Sequence, residues 1–173
     1  MIGPGGSGKS WLARELSEAT GLLIIHLDSM FWQPGWVPRP QDEWEALQRR
    51  MAADEAWIVE GLHQRTVQVW LDAADTVIFL DVSPITSIWR VARRRLDGDP
   101  GADVPAGCDP APFHVALRKF LAYMWEYHRE SRARLVDELA RPRPGQRLIV
   151  LRRAGEMRRF VGTLPRTTSS EGS

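Results

Sequence analysis

The sequence predicts an α/β protein whose parallel sheet is covered by helices on both faces, a three-layer sandwich, and three observations lead there. Short apolar runs and amphipathic stretches alternate along nearly the whole chain. The runs are branched and apolar at successive positions, LLIIHL at 22–27 for example, as in strands buried on both sides. The stretches between them are long enough for crossover connections, which join parallel rather than antiparallel strands.

Taken in order, MIGPGGSGKS leads into WLARELSEATG, where Trp11, Leu12 and Leu16 share one helical face and Gly21 is placed to end the helix. After LLIIHL, the Pro- and Trp-rich segment DSMFWQPGWVPRP reads as a loop and QDEWEALQRRMAA as a helix. AWIVEG (56–61) reads as a strand, TVQVWLDAA as a short helix and TVIFLDV (76–82) as a strand. SPITSIWRVARRRL follows as a helix, with Ser83 and Pro84 at its cap and first turn. Residues 97–112 carry four prolines and three glycines without apolar periodicity, the composition of a long functional loop. FHVALRKFLAYMWEYHRESRARLVDELA reads as one long helix with an apolar stripe of Phe113, Leu117, Phe120, Leu121, Met124 and Leu135. RLIVL (147–151) is the last strand and AGEMRRFVGTL the last helix, and PRTTSSEGS (165–173) reads as a disordered tail. A strand is also expected immediately before the glycine loop, where only Met1 and Ile2 stand. A start assigned too late would explain this, and an upstream-extended chain would then be the more stable one.

A length of 173 residues with 43% apolar content fits one domain, taken as 1–164. The net charge of +1 gives no field for nucleic acid or an acidic membrane. Cys108 is the single cysteine, so an internal disulfide and a multi-cysteine zinc site are excluded. With no signal-peptide pattern and no apolar run of about 20 residues, a soluble, cytoplasmic protein with no membrane partner is expected.

Gly3-Pro4-Gly5-Gly6-Ser7-Gly8-Lys9-Ser10 fits G-x-x-x-x-G-K-[ST], the loop that wraps a nucleotide phosphate. Glycines let the backbone turn its N–H groups inward, and the helix that follows adds partial positive charge. Gly3, Gly5, Gly6, Ser7 and Gly8 would then cradle ATP, Lys9 would reach its β- and γ-phosphates, and the Ser10 hydroxyl would take a magnesium position. Asp28, Glu60 and Asp81 each end a strand, at the carboxyl edge where such sheets bind ligands. Asp28 and Asp81 are candidate magnesium ligands. Asp28 is also the candidate to orient an acceptor, with Trp32 and Glu60 in the acceptor pocket. Arg93 and Arg94, leading into the 97–112 loop, are candidates to stabilise the transferring phosphoryl from a closing lid. Arg118, Arg129 and Arg132 share an arc of the long helix opposite its apolar stripe, and Arg129 is a candidate substrate ligand.

GPGGSGKS, HLDSMFWQPGW, WIVEGLHQRT, ADTVIFLD, RVARRR and the Gly107-Cys108 pair, in this order, resemble the bacterial adenylate-kinase-like P-loop proteins often labelled DNA topology modulation proteins. The similarity runs over residues 1–164. It implies a five-stranded parallel sheet of order 2-3-1-4-5 with a nucleotide-kinase type lid at about 97–112. Glu60-Gly61 followed by Arg65-Thr66 is similar to the segment by which adenylate kinases hold an acceptor phosphate, which makes Arg65 a candidate acceptor ligand. The chain departs from the family pattern at Gly61-Leu62-His63, where Gly-Asn-Tyr is usual, and at 101–104, where GADV stands in place of an arginine-bearing segment. The reading that follows is an ATP- and magnesium-dependent phosphotransferase acting on a small acceptor, a nucleoside or nucleotide. The alternative is a regulatory NTPase with slow hydrolysis that signals to a protein or DNA partner. No N-K-x-D segment is present to read guanine, and no DNA-reading motif supports nucleic acid as a partner.

Overall fold

Glycine and proline punctuation places most element ends where the sequence puts them. The computed structural model describes residues 1–97, 107–108 and 113–164. In chain order these form α1 (Lys9–Thr20), β1 (Ile24–His26), α2 (Leu27–Phe31), β2 (Trp32–Gln33), β3 (Val37–Pro38), α3 (Gln41–Ala52), β4 (Ile58–Glu60) and α4 (Val67–Ala73). There follow β5 (Thr76–Leu80), α5 (Pro84–Leu96), α6 (Phe113–Glu126), a π turn (Tyr127–Ser131), α7 (Arg132–Leu139), β6 (Arg147–Leu151) and α8 (Ala154–Gly162). Gly21, at φ 74°, closes α1 with its N–H on the Ser17 carbonyl. Ser83 opens α5 by accepting the Thr86 N–H at 3.3 Å.

The chain is α/β, but the expected five-stranded parallel sheet is not what forms. The described residues make three two-stranded sheets: β1 with β4 in parallel, β5 with β6 in parallel, and β2 with β3 antiparallel. Two local causes limit them. β1 is cut to three residues because Leu27 and Asp28 already belong to α2, and Gly61, at φ 131°, ends β4 against Leu27. Between the two parallel pairs stand only Met1 and Ile2, which give a single bridge, Ile2 to Phe79, in place of a strand. Their backbones still bond both ways: Ile2 N–H to the Ile78 carbonyl and Leu80 N–H to the Ile2 carbonyl on one side, Gly61 N–H to the Met1 carbonyl on the other.

β5 is buried on both faces, as its composition requires. Val77 and Phe79 pack with Ile2, Val67, Leu71, Leu135 and Leu139, under α4 and α7. Ile78 and Leu80 point the other way and pack with Leu12, Leu151 and Met157, under α1 and α8. A third cluster of Leu27, Trp44, Val59 and Trp70 seats α3 and α4 against β4. Inside it Gln48, fully buried, donates to Thr66 Oγ1 at 2.9 Å and accepts the Trp70 indole N–H at 2.7 Å, so no polar atom of the amide is wasted. The segment read as a Pro/Trp loop is a short helix and a hairpin of two two-residue strands. The long helix is broken by its π turn. The lid expected at about 97–112, apart from Asp97, Gly107 and Cys108, and the tail 165–173 lie outside the described residues. Among the described residues no helix is long and apolar enough to cross a membrane.

Candidate functional site

The glycine loop runs from the Ile2 bridge to the start of α1, and three of its glycines have backbone angles that other residues resist: Gly3 at φ 152°, Gly6 at 75° and Gly8 at 103°. Space is as tight as conformation. A side-chain carbon on Gly6 would stand 2.6 Å from the Ser87 carbonyl oxygen, and one on Gly3 2.7 Å from that of Leu80. Arg90, one turn further along α5, donates to the Ser7 carbonyl at 2.9 Å and reaches that of Gly6 at 3.4 Å. Lys9, the first residue of α1, is buried, and its ammonium donates to the Pro4 carbonyl at 3.1 Å. The first turn of α1 contains no acid to oppose a bound anion. Ser7 is fully buried, and its hydroxyl has no hydrogen-bond partner among the described residues.

Beside this loop stand two acids, each paired with an imidazole. The parallel register of β1 and β4 sets His26 opposite Glu60. Glu60 Oε1 lies 2.7 Å from His26 Nδ1 and accepts the Ser10 hydroxyl at 3.1 Å. Asp28, in the first turn of α2, approaches His63 Nε2 at 3.4 Å. Burial pushes the Asp28 carboxyl up, but contact with His63 and the nearby positive charges of Lys9, His63 and His26 outweigh it and hold it below the ordinary value. Lys9, Ser10, Asp28 and Glu60 are thus gathered at one place with Gly3, Gly5, Gly6, Ser7 and Gly8.

Asp81 is engaged elsewhere. Arg132 grips it as a fork, Nε to Oδ1 and Nη2 to Oδ2, both at 2.8 Å, with Arg152 at 3.6 Å. The Arg132 hydrogen bonds, opposed by burial and helped by both guanidinium charges, hold the Asp81 carboxyl below its usual range. With both oxygens committed to Arg132, Asp81 has little to offer a cation. Among the described residues no three His, Cys, Asp or Glu side chains converge as a metal-binding group. Magnesium needs only one or two protein carboxylates beside substrate phosphate. The Ser10 hydroxyl and the Glu60 carboxylate are hard oxygen donors of that kind.

The remaining candidates are dispersed. Trp32 stacks edge-on against Phe31 at 4.9 Å and Trp36 at 5.7 Å. Cys108 fastens that hairpin, its thiol 3.3 Å from the Trp36 N–H and 3.4 Å from the Gln33 carbonyl. Arg65 is exposed and lines a cleft of about 360 Å³ with Gln64, Ser131, Arg134 and Glu138, away from the loop. Arg93 is exposed, 3.7 Å from Asp97 and stacked over Trp89, and Arg94 is half-buried on the same helix. Arg129 is exposed beside Glu130 at 3.7 Å. Sequence reasoning did not assign four contributors their places. Arg90 stands in the same arginine run as the lid candidates Arg93 and Arg94 and instead holds the loop, a contact across 83 positions that no local pattern signals. His26 and His63 carried a signal: each lies within three residues of a strand-end acid. Tyr123, 39% exposed over the whole residue but with its phenol pushed up to about 12 by the protein packed around it and then by the Asp28 charge, a backbone hydrogen bond at Gly5 opposing, has no such signal.

Compared with known proteins, the chain matches no protein-family model and no curated protein sequence.

Proposed function

We propose that this protein is an ATP- and magnesium-dependent phosphotransferase acting on a small acceptor, a nucleoside or nucleotide. One observation carries the reading: Lys9 and Ser10 open α1 directly behind a glycine loop, and Ser10 meets a buried carboxylate, Glu60, at 3.1 Å. A helix N-terminus, an ammonium and a hydroxyl–carboxylate pair at one point suit a polyphosphate with its cation better than any other common ligand.

Gly3 to Ser10 would hold the phosphates, with Lys9 exchanging its Pro4 contact for the β- and γ-oxygens. Arg90 keeps the Gly6 and Ser7 carbonyls turned away from the bound anion. Ser10 and Glu60 would hold magnesium, which supplies charge neutralisation of the phosphates when bound. Asp28, ionised, accepts the acceptor hydroxyl proton as that oxygen bonds to the γ-phosphorus and the bond to the departing nucleoside diphosphate breaks.

Calorimetric titration with a non-hydrolysable ATP analogue and magnesium tests this, repeated with Lys9→Ala. Binding in the micromolar range, abolished by the substitution, is expected, and transfer from ATP to adenosine or AMP should vanish with it. No binding by the wild-type chain, or a Lys9→Ala protein that retains turnover, overturns the reading. Binding and slow hydrolysis with no transfer would point to a regulatory NTPase instead.

A further inference from the structure

The two carboxylate–imidazole pairs at the ends of β1 and β4 are mirror images in exposure. In the first, the acid is inside and the imidazole outside: the Glu60 side chain is 5% exposed and that of His26 36%. In the second, the acid is outside: Asp28 is 47% exposed and His63 21%. Chain order is reversed as well, with His26 before Asp28 on one strand end and Glu60 before His63 on the other.

This inversion restricts what each acid can meet. Glu60 is closed off from an incoming molecule and touches Ser10, so it can act only on the nucleotide side. Asp28 is crowded by protein on most sides, which by itself raises its carboxyl, yet 47% of its side chain is exposed, so a hydroxyl can reach it beside the phosphate loop. Resting on the phosphotransfer reading of this site, we infer that His26 and His63 are positioning residues that divide the two acids between two tasks. His26 fixes Glu60 toward Ser10 and the nucleotide, and His63 fixes Asp28 toward the acceptor.

The supports differ in kind. His26 shares Glu60 Oε1 with the Ser10 hydroxyl, so the carboxylate is pinned from two directions through one oxygen. His63 is wedged between the rings of Phe31, at 4.5 Å between centroids, and Trp44, at 5.2 Å. An imidazole packed that way stays close, and its Nε2, which has no hydrogen-bond partner among the described residues, lies 3.4 Å from Asp28 Oδ1 and leaves Oδ2 for the acceptor proton. A small rotation of the carboxylate closes that hydrogen bond, so Asp28 is nearly preset as a base.

The test pairs His26→Phe with His63→Phe, each compared with its Gln counterpart, which keeps an N–H. His26→Phe is expected to weaken magnesium-dependent binding of the non-hydrolysable ATP analogue by about 10- to 100-fold. His63→Phe should leave that binding unchanged while kcat for transfer from radiolabelled ATP to adenosine or AMP falls by about 10- to 100-fold. The Gln variants should recover most of each loss. Equal effects of both Phe variants on both readouts, or no recovery by Gln, would overturn the division of tasks. A readout independent of turnover is the nitrogen NMR spectrum of the imidazoles: Asp28→Asn should shift the His63 ring nitrogens more than those of His26, and Glu60→Gln the reverse. Absent or crossed shifts overturn the pairing even if the protein transfers phosphate. Absent nucleotide binding with the expected shifts would reject the phosphotransfer reading and leave the pairing intact.

Discussion

Gly6 and Gly8 both have left-handed backbone angles, 75° and 103°, yet their surroundings differ, and replacing each with alanine separates conformation from space. At Gly8 a new side-chain carbon meets nothing closer than Arg90 at 3.6 Å and Met157 at 3.7 Å, ordinary contact distances. Gly8→Ala should therefore cost only the left-handed penalty, about 1–2 kcal/mol. At Gly6 the same atom lands 2.6 Å from the Ser87 carbonyl oxygen and 2.9 Å from a Val91 methyl. That oxygen belongs to the backbone of α5 and cannot retreat alone, so overpacking of about 1–3 kcal/mol is added, for a total of about 2–5 kcal/mol. Against a typical stability of about 5–15 kcal/mol, the difference is easily read from urea denaturation midpoints at constant slope. The same displacement should separate Ser7 from Arg90 and weaken nucleotide binding in Gly6→Ala beyond the effect in Gly8→Ala. Equal destabilisation by the two substitutions would refute the claim that α5 sets the shape of the loop.

Two further outcomes are expected. Arg132→Met leaves Asp81, whose side chain is 10% exposed, with only the longer Arg152 contact, and because Arg132 is itself 40% exposed the loss should be about 1–3 kcal/mol at neutral pH. The Asp81 carboxyl titrates lower when folded than when unfolded, so its contribution is complete above the ordinary value near about 3.9 and disappears as pH falls through the lower folded one. Denaturation midpoints of the wild type and Arg132→Met should thus converge on acidification, and a gap that persists would refute the assignment. Gln48→Ala strands the Trp70 indole N–H in a buried site and leaves the Thr66 hydroxyl only its longer contact with the His63 carbonyl, an expected loss of about 1–3 kcal/mol by the same denaturation assay, while Gln48→Glu, at neutral pH, should not restore it.

Where a signal is local, the sequence conveys it. The Trp11–Leu16 face and Gly21 locate α1, Ser83 locates the start of α5, and the full apolar run of TVIFL announces a strand buried on both faces. LLIIHL misleads because its last leucine is as apolar as a strand residue, yet it begins α2, where a short helix places Asp28. The five-stranded sheet fails for a related reason: run length says that a strand can exist, whereas pairing depends on what Met1 and Ile2 can reach, and two residues reach one bridge. The hairpin at Trp32–Pro38 is held by Gly107 and Cys108, more than 70 positions away, and nothing in its own composition specifies that anchor. At the candidate site the glycine loop is fully legible, since its chemistry is consecutive. The pairing of Glu60 with Ser10 crosses 50 positions and that of Arg132 with Asp81 crosses 51, so both had to await the fold.

The π turn at Tyr127–Ser131 gives the long helical arm one residue more than an unbroken α-helix would need over the same span. That surplus works as an angular offset. Everything from Arg132 onward is turned back by about 100° and set back by about 1.5 Å relative to the register that α6 would have imposed. The apolar stripe hides the offset, because Tyr127, Ser131, Leu135 and Leu139 all remain buried across it. The guanidinium of Arg132 does not hide it, since its fork on Asp81 requires one direction only. Chain length in this arm is therefore a quantity separate from chain composition. Losing a single residue between 127 and 131 would leave an unbroken α-helix over the same span, with Arg132 still placed to reach Asp81.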